Sequence, residues 1–256
     1  MSDVDFSVRR FGGVARLFGE AALQRLAAAH VVVVGIGGVG SWAVEALARS
    51  GVGLLTLVDM DHISESNINR QIHSLDSTLG GAKVTVMAQR IADIAPHCQV
   101  RVIDDFVTEA NVASLLGQAA DFVVDAIDQP RAKAAMIAHC RTQQRRIIVC
   151  GAAGGRTDPL ALQRGDLALT RGDALLAAVR SRLRRDYGFA RQQGFTFGVT
   201  AIFADTPRAG AAPPSDGGGA ALACSGYGSL VSVTATMGLV AAQAAIDSVL
   251  RSNIAA

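Results

Sequence analysis

The sequence predicts an α/β fold, a doubly wound and mostly parallel sheet with a C-terminal extension. Three observations carry this. Apolar runs without polar alternation recur between helical patterns, a Gly-rich turn follows the first run, and an acidic residue closes the second.

Taken in order, residues 6–29 are expected to form an N-terminal helical arm carrying Arg9, Arg10 and Arg16. Val31–Val34 is apolar at every position, as a central strand covered on both faces must be, and Leu54–Val58 repeats that character. Between them Gly35, Gly37 and Gly40, with Gly38 inside, satisfy G-x-G-x-x-G. A backbone without Cβ can turn tightly there, approach phosphate oxygens and open a helix whose N–H groups attract anions. Strand, turn, helix, strand and Asp59 together describe a Rossmann-like nucleotide-binding unit.

Apolar residues at helical spacing predict a helix over 81–95, closed by Pro96. A third strand (Val100–Ile103), a short helix (Val107–Leu116) and a fourth strand (Phe122–Asp125) follow. Pro130 can start a helix running to about Gln143, and Ile147–Cys150 forms a fifth strand. After the turn Gly151–Gly155 the pattern changes. Arg156–Leu169 is expected to be extended with a turn at Asp158-Pro159, 173–187 helical and Phe195–Ala204 a strand. Residues 207–219 form a Gly/Pro-rich loop.

With 256 residues, half of them hydrophobic, the chain can bury a substantial core. A net charge of +2 gives no global pull toward nucleic acid, so any such binding needs a local patch. Five arginines, Arg180, Arg182, Arg184, Arg185 and Arg191, supply one; they could follow a phosphate backbone or simply form a solvated helix face. Cys98, Cys140, Cys150 and Cys224 are widely spaced with no C-x-x-C pair, which fits free thiols and excludes a zinc site built from paired cysteines. The N-terminal residues carry no apolar signal-like run, so a cytoplasmic location is expected. Tyr227–Leu250 approaches the length of a membrane span. Its Ser229, Ser232, Thr234, Thr236, Gln243 and Asp247 suit a buried helix packed on a sheet better.

A Gly-rich turn alone suggests a dinucleotide, with Asp59 on a ribose; an Asp capping a strand end is the plainer alternative. Beyond Asp59 come Asn67, Arg70, Gln71 and Lys83. Two cations suit the triphosphate of ATP better than the pyrophosphate of a nicotinamide dinucleotide, unless both are merely solvated. Asp125 and Asp128 end a strand at the same sheet edge, where a carboxylate can hold Mg²⁺ against phosphate oxygens; Asp128, farther into the loop, is the better candidate. His73, His97 and His139 are isolated, and no spacing recommends them as metal ligands. Cys224, in a turn of small residues, is either structural or a sulfur acceptor.

The stretches VVVVGIGGVGSWAVEALARSGVGLLTLVDMD, SNINRQIH, GAKVTVMAQRI and VVDAID occur here in one order. In that order and spacing they resemble the ubiquitin-activating-enzyme-like (E1-like) adenylyltransferases, the group of the bacterial thiamine and molybdopterin sulfur-carrier activators. The resemblance implies an E1-like adenylation fold over the whole chain 1–256. It comprises the arm (1–29), a nucleotide-binding core (30–155) and an extension covering the site (156–256). It also implies that Asp59, with Asp61 beside it, and Gln71 belong to the ATP site, that Asn67, Arg70 and Lys83 bind phosphates and that Asp128 binds Mg²⁺. The arm RRFGGVARLFGEAAL, the turn DAIDQPRAKAAMIAHCR, Cys150–Gly155 and CSGYGSLVSVTATMGLVAA are similar to a zinc-free branch, the tRNA threonylcarbamoyladenosine dehydratases. Membership there implies a homodimer acting on threonylcarbamoyl-adenosine in tRNA. Arg16 would act as a catalytic residue reaching in from the partner subunit, with a monovalent cation (Na⁺ or K⁺) near the C-terminal turn. Two other activities stay open at this point: a sulfur-carrier adenylyltransferase, and a relay taking sulfur from a cysteine desulfurase through Cys224.

Overall fold

The computed structural model describes residues 3–116, 119–192, 194–207, 209 and 227–251, with side chains from residue 9 onward. Its strands are β1 (His30–Val34), β2 (Leu54–Val58), β3 (Gln99–Ile103), β4 (Phe122–Asp125), β5 (Arg146–Cys150), β6 (Leu162–Asp166) and β7 (Thr200–Ala204). They form one sheet in the order β3-β2-β1-β4-β5-β7-β6. Every pairing is parallel except β6 on β7, which closes one edge in the antiparallel sense.

The absence of alternation in β1 now has its cause. Val31 and Val33 enter one apolar core and Val32 and Val34 the other, so no position after His30 is left for a polar residue. Each such side chain contributes about 1.5–3 kcal/mol on full burial. The first core is covered by α3 (Gly40–Arg49), α4 (Lys83–Ile94) and the C-terminal helix, and the second by α6 (Pro130–Thr142) and α7 (Ala174–Asp186). Strand order reverses between β1 and β4. In a doubly wound sheet the ligand crevice opens at that point, beyond the strand C-termini.

Two glycines set the positions of helices around this crevice. An ideal Cβ on Gly40 would lie 1.7 Å from the carbonyl oxygen of Gly35, so only glycine lets α3 start against the turn. On the C-terminal helix α8 (Val231–Arg251), a Cβ on Gly238 would lie 2.3 Å from the Val39 oxygen. The helix therefore seats directly on the start of α3. Although α8 is long and apolar enough to cross a membrane, Val233, Met237, Ala241, Ala245 and Ile246 are buried in the first core. Glu45 of α3 then ties in α4, accepting from Arg90 Nε at 2.7 Å and from its own helix's Arg49 at 2.7 Å.

Several element boundaries differ from the sequence reading. The arm is two helices, α1 (Asp3–Phe18), kinked at Phe11, and α2 (Glu20–Ala28). The expected helix over 107–116 shrinks to α5 (Val112–Leu115) because Asn111 Oδ1 accepts from Thr108 N and Thr108 Oγ1 accepts from Asn111 N, giving the backbone a turn in place of a helix. The extended piece 156–169 contains β6 between two short 3-10 turns. Strand β7 starts only at Thr200, because the Asp166 carboxylate collects the N–H groups of Phe197, Gly198 and Val199. Most of the loop 207–219 lies outside the described residues.

Candidate active site

A cavity of about 550 Å³ opens at the C-terminal ends of β1, β2, β4 and β5. Gly35, Gly37 and Gly38 form its floor beside Asp59, and Gly35 N donates to the Val58 oxygen at 2.9 Å. The Asp59 carboxylate braces this turn: Oδ2 accepts from Ile36 N at 2.6 Å and Oδ1 from Asp61 N at 2.9 Å. Burial pushes its pKa up, against the opposing charge of Lys83 and those two N–H groups.

Lys83 opens α4 and is almost entirely enclosed, with 7% of its side chain exposed. Its Nζ meets Asp61 Oδ2 at 2.7 Å, and both residues line the cavity. Arg70 stretches over Gly38, where an ideal Cβ would come within 3.1 Å of its Cγ. Its Nη1 donates to the Ser66 oxygen at 2.6 Å and to Asn69 Oδ1 at 3.0 Å, while its own carbonyl accepts from Trp42 Nε1 at 3.0 Å. Gln71 is buried in the cavity wall. Asn67 is buried but is not a lining residue; its Oδ1 accepts from Ser64 N at 3.1 Å and closes the 3-10 turn Glu65–Asn67 that carries Arg70 into place.

The two aspartates after β4 separate cleanly. Asp125 is fully buried, with Oδ1 2.8 Å from the equally buried Lys133 Nζ of α6. Burial raises its pKa against the opposing Lys133. The same Oδ1 accepts from Ile127 N at 3.3 Å, so the pair staples the loop from below. Asp128, at the end of that loop, faces the cavity. The Asp125–Lys133 pair escapes sequence inspection, since only the first turn of α6 brings a lysine eight residues away under the strand end. Phe106 was also missed; it is half exposed, lines the cavity beyond β3, and its one signal is its place at the C-terminal end of a strand next to β2. The turn Gly151–Ala153 and Ser229 and Thr234, flanking the start of α8, complete the wall.

Other candidates lie elsewhere. Arg16 is exposed on α1 and is not among the lining residues. Of the α7 arginines, Arg180 donates to Thr170 Oγ1, Arg185 pairs with Asp186 at 2.7 Å, and Arg184 lies over the Phe197 ring at 5.3 Å. Arg191 donates to the Arg184 oxygen, and Arg182 is half-buried on the same helix. Burial pushes the thiol of Cys98 up to about 11 and those of Cys140 and Cys150 up to about 12, which leaves them protonated and unreactive at neutral pH. Cys224 and the C-terminal turn expected to hold a monovalent cation lie outside the described residues. Among the described residues no three of His, Cys, Asp and Glu gather as a metal-ligand group. A single carboxylate still fits Mg²⁺, which is commonly held by one or two protein oxygens together with substrate phosphates.

Residues 13–255, nearly the entire chain, match the model of the ThiF family. The chain belongs to the ThiF family. Within it, the chain is 47% identical over 253 residues to the tRNA threonylcarbamoyladenosine dehydratase of Escherichia coli K12, covering 94% of each protein. It is 44% identical over 255 residues to the enzyme of the same name from Haemophilus influenzae, covering 98% of this chain and 97% of that one. The crystal structure of the E. coli tRNA N6-threonylcarbamoyladenosine dehydratase in complex with ATP superposes with a TM-score of 0.88 at 46% identity, covering 97% of this chain and 96% of that one. The likeness to these ThiF-family proteins thus extends through the arm and the C-terminal extension as well as the Gly-rich core.

Proposed function

We propose that this chain is an ATP-dependent tRNA threonylcarbamoyladenosine dehydratase, which cyclises N6-threonylcarbamoyladenosine at position 37 of tRNA through an acyl adenylate. The observation that carries this is one cavity joining a Gly-rich turn to Arg70, Lys83 and Asp128, in a chain 47% identical to such a dehydratase over 94% of both lengths.

A free carboxylate is a poor electrophile because its leaving group would be oxide. Attack of the threonyl carboxylate oxygen on the α-phosphorus of ATP expels pyrophosphate and gives an acyl adenylate, whose leaving group is AMP. The ureido group of the same substituent then attacks the activated carbonyl, closing a five-membered ring and releasing AMP, with net loss of one water from the nucleoside. Because nucleophile and electrophile share one substituent, proximity supplies much of the rate and no protein nucleophile is required.

The chain's residues hold and neutralise the reactants. The backbone of Gly35–Gly40, at the start of α3, approaches the phosphates, and Asp59 accepts from the ribose hydroxyls. Arg70 clamps phosphate oxygens, and Lys83, redirected from Asp61, follows charge onto the departing pyrophosphate. Asp128 would hold Mg²⁺, which would offset phosphate charge when bound. Asn67 acts by fixing the turn that positions Arg70. In a homodimer Arg16 would enter the partner's cavity, and the α7 arginines Arg182 and Arg185 would meet RNA phosphates. The substrate places the enzyme in the cytoplasm.

The test is to incubate the protein with ATP, Mg²⁺ and tRNA bearing the linear modification, then weigh the digested nucleoside. Loss of one water, abolished by Arg70→Ala or Lys83→Ala, is the expected result. An unchanged mass from protein that binds ATP overturns the assignment.

A further inference from the structure

At the opposite end of the sheet from the ATP cavity lies a second one, of about 630 Å³, among the N-terminal ends of β4, β5 and β7 and the C-terminal end of α8. Among the described residues, five arginines line it, Arg141, Arg145, Arg146, Arg164 and Arg251, against one carboxylate, Asp247. Asp247 is already heavily shared: its Oδ2 lies 3.3 Å from Arg251 and 3.8 Å from Arg164, and its Oδ1 accepts from Gln243 at 2.7 Å. Among the described residues, guanidiniums thus dominate a concave surface.

The arginines converge from four elements and are set in place by the backbone. Arg141, near the end of α6, donates to the Phe197 oxygen, and Gly198 is bare beside it: a Cβ there would lie 2.6 Å from Arg141 Nη1. Arg146 donates to the Ser248 oxygen and Oγ of α8 at 2.8 and 2.9 Å. Planar guanidiniums match phosphate oxygens in pairs, and a concave surface lined by several of them has the shape and donor set an oxyanion needs.

We infer that this cavity is a phosphate-binding site separate from the ATP cavity. Strands of five residues set the two cavities roughly 15 Å apart. The same chemistry has two sources, a free phosphate and a backbone phosphate of the tRNA substrate. Only the second source rests on the function proposed above.

The experiment uses Arg164→Glu/Arg251→Glu, whose native side chains are 48% and 70% exposed, with Arg251→Ala as a milder companion. Unchanged thermal midpoint and ATP affinity establish that both variants fold. With the ATP cavity saturated by AMP, inorganic phosphate and an unmodified tRNA transcript are titrated separately into wild type and variants. A fivefold or greater loss of tRNA affinity in the double variant, with the slope of log K against log salt reduced by about 1, assigns the site to the RNA backbone. Loss of phosphate binding alone assigns it to the free ion. Equal affinities for both probes in wild type and variants overturn the inference. The transcript cannot be adenylated, so failure here is distinct from failure of the dehydration assay.

Discussion

Lys83 shows how a single side chain divides its work between structure and chemistry. Enclosed in the cavity wall and held by Asp61 at 2.7 Å, it is an ammonium stored at a fixed point rather than a mobile surface charge. Its removal is expected to cut turnover by about 10²–10³, the range for loss of one preorganised electrostatic contact. Lys83→Arg should recover little, since a planar fork does not fit where a compact ammonium sits. Single-turnover rates of nucleoside dehydration measure both. His73 makes a different kind of prediction. Among the described residues neither of its ring nitrogens has a hydrogen-bond partner, and burial, with Lys83 and Arg90 nearby, lowers its pKa from 6.5 to about 4. The unfolded chain therefore takes up a proton before the folded one does as pH falls. The stability tied to neutral His73 is complete above pH 6.5 and declines toward pH 4, by at most roughly 3 kcal/mol. In His73→Leu, urea midpoints at pH 7 and pH 5 should lie closer together than in wild type; an identical gap would remove His73 as the cause.

Short elements explain both how much of the fold was legible and where reading stopped. The core strands β1, β2, β4 and β5 are visible in the sequence because two-sided burial demands unbroken apolar runs. Strand β6 is legible only as part of the extended piece 156–169, without its bounds, because LQRGD is exposed or half-buried along its length and its strand form is set by pairing with β7. The cap at Thr108–Asn111 and the Asp166 nest are side-chain contacts that no periodicity reports. The loop after β4 rests on a device of the same kind, the Asp125–Lys133 pair. Lys133→Met leaves a buried carboxylate uncompensated and should cost about 3–5 kcal/mol in urea unfolding. The double change Asp125→Asn/Lys133→Met should recover part of that loss. Gly40→Ala acts on the turn above: with 1.7 Å available to its Cβ, the start of α3 must move, and weakened ATP binding by calorimetry is expected beyond any loss of stability.

Across the molecule, the residues that meet at the candidate site come from stretches more than 90 residues apart, and the sequence reading singled out its Gly-rich floor together with Asp59, Asp61, Arg70, Gln71, Lys83 and Asp128. Phe106 and Gly151–Ala153 were not anticipated, and Ser229 and Thr234 lie in the extension expected to cover the site but were not singled out as lining residues. Their place depends on strand order and on the seating of α8, both properties of the assembled sheet. The arginine cavity was invisible for the same reason, since Arg141, Arg164 and Arg251 are distant in sequence and meet only at the strand N-termini.

The bond from Trp42 Nε1 to the Arg70 carbonyl has an optical consequence. Trp42 is the only tryptophan in the chain, and it sits on the helix that begins at the Gly-rich turn. Its emission therefore comes from one place, the hinge between the turn and the arginine that would clamp phosphate. Nucleotide binding that shifts Arg70 should change the intensity or wavelength of that fluorescence, giving a label-free signal for stopped-flow kinetics in the unaltered protein.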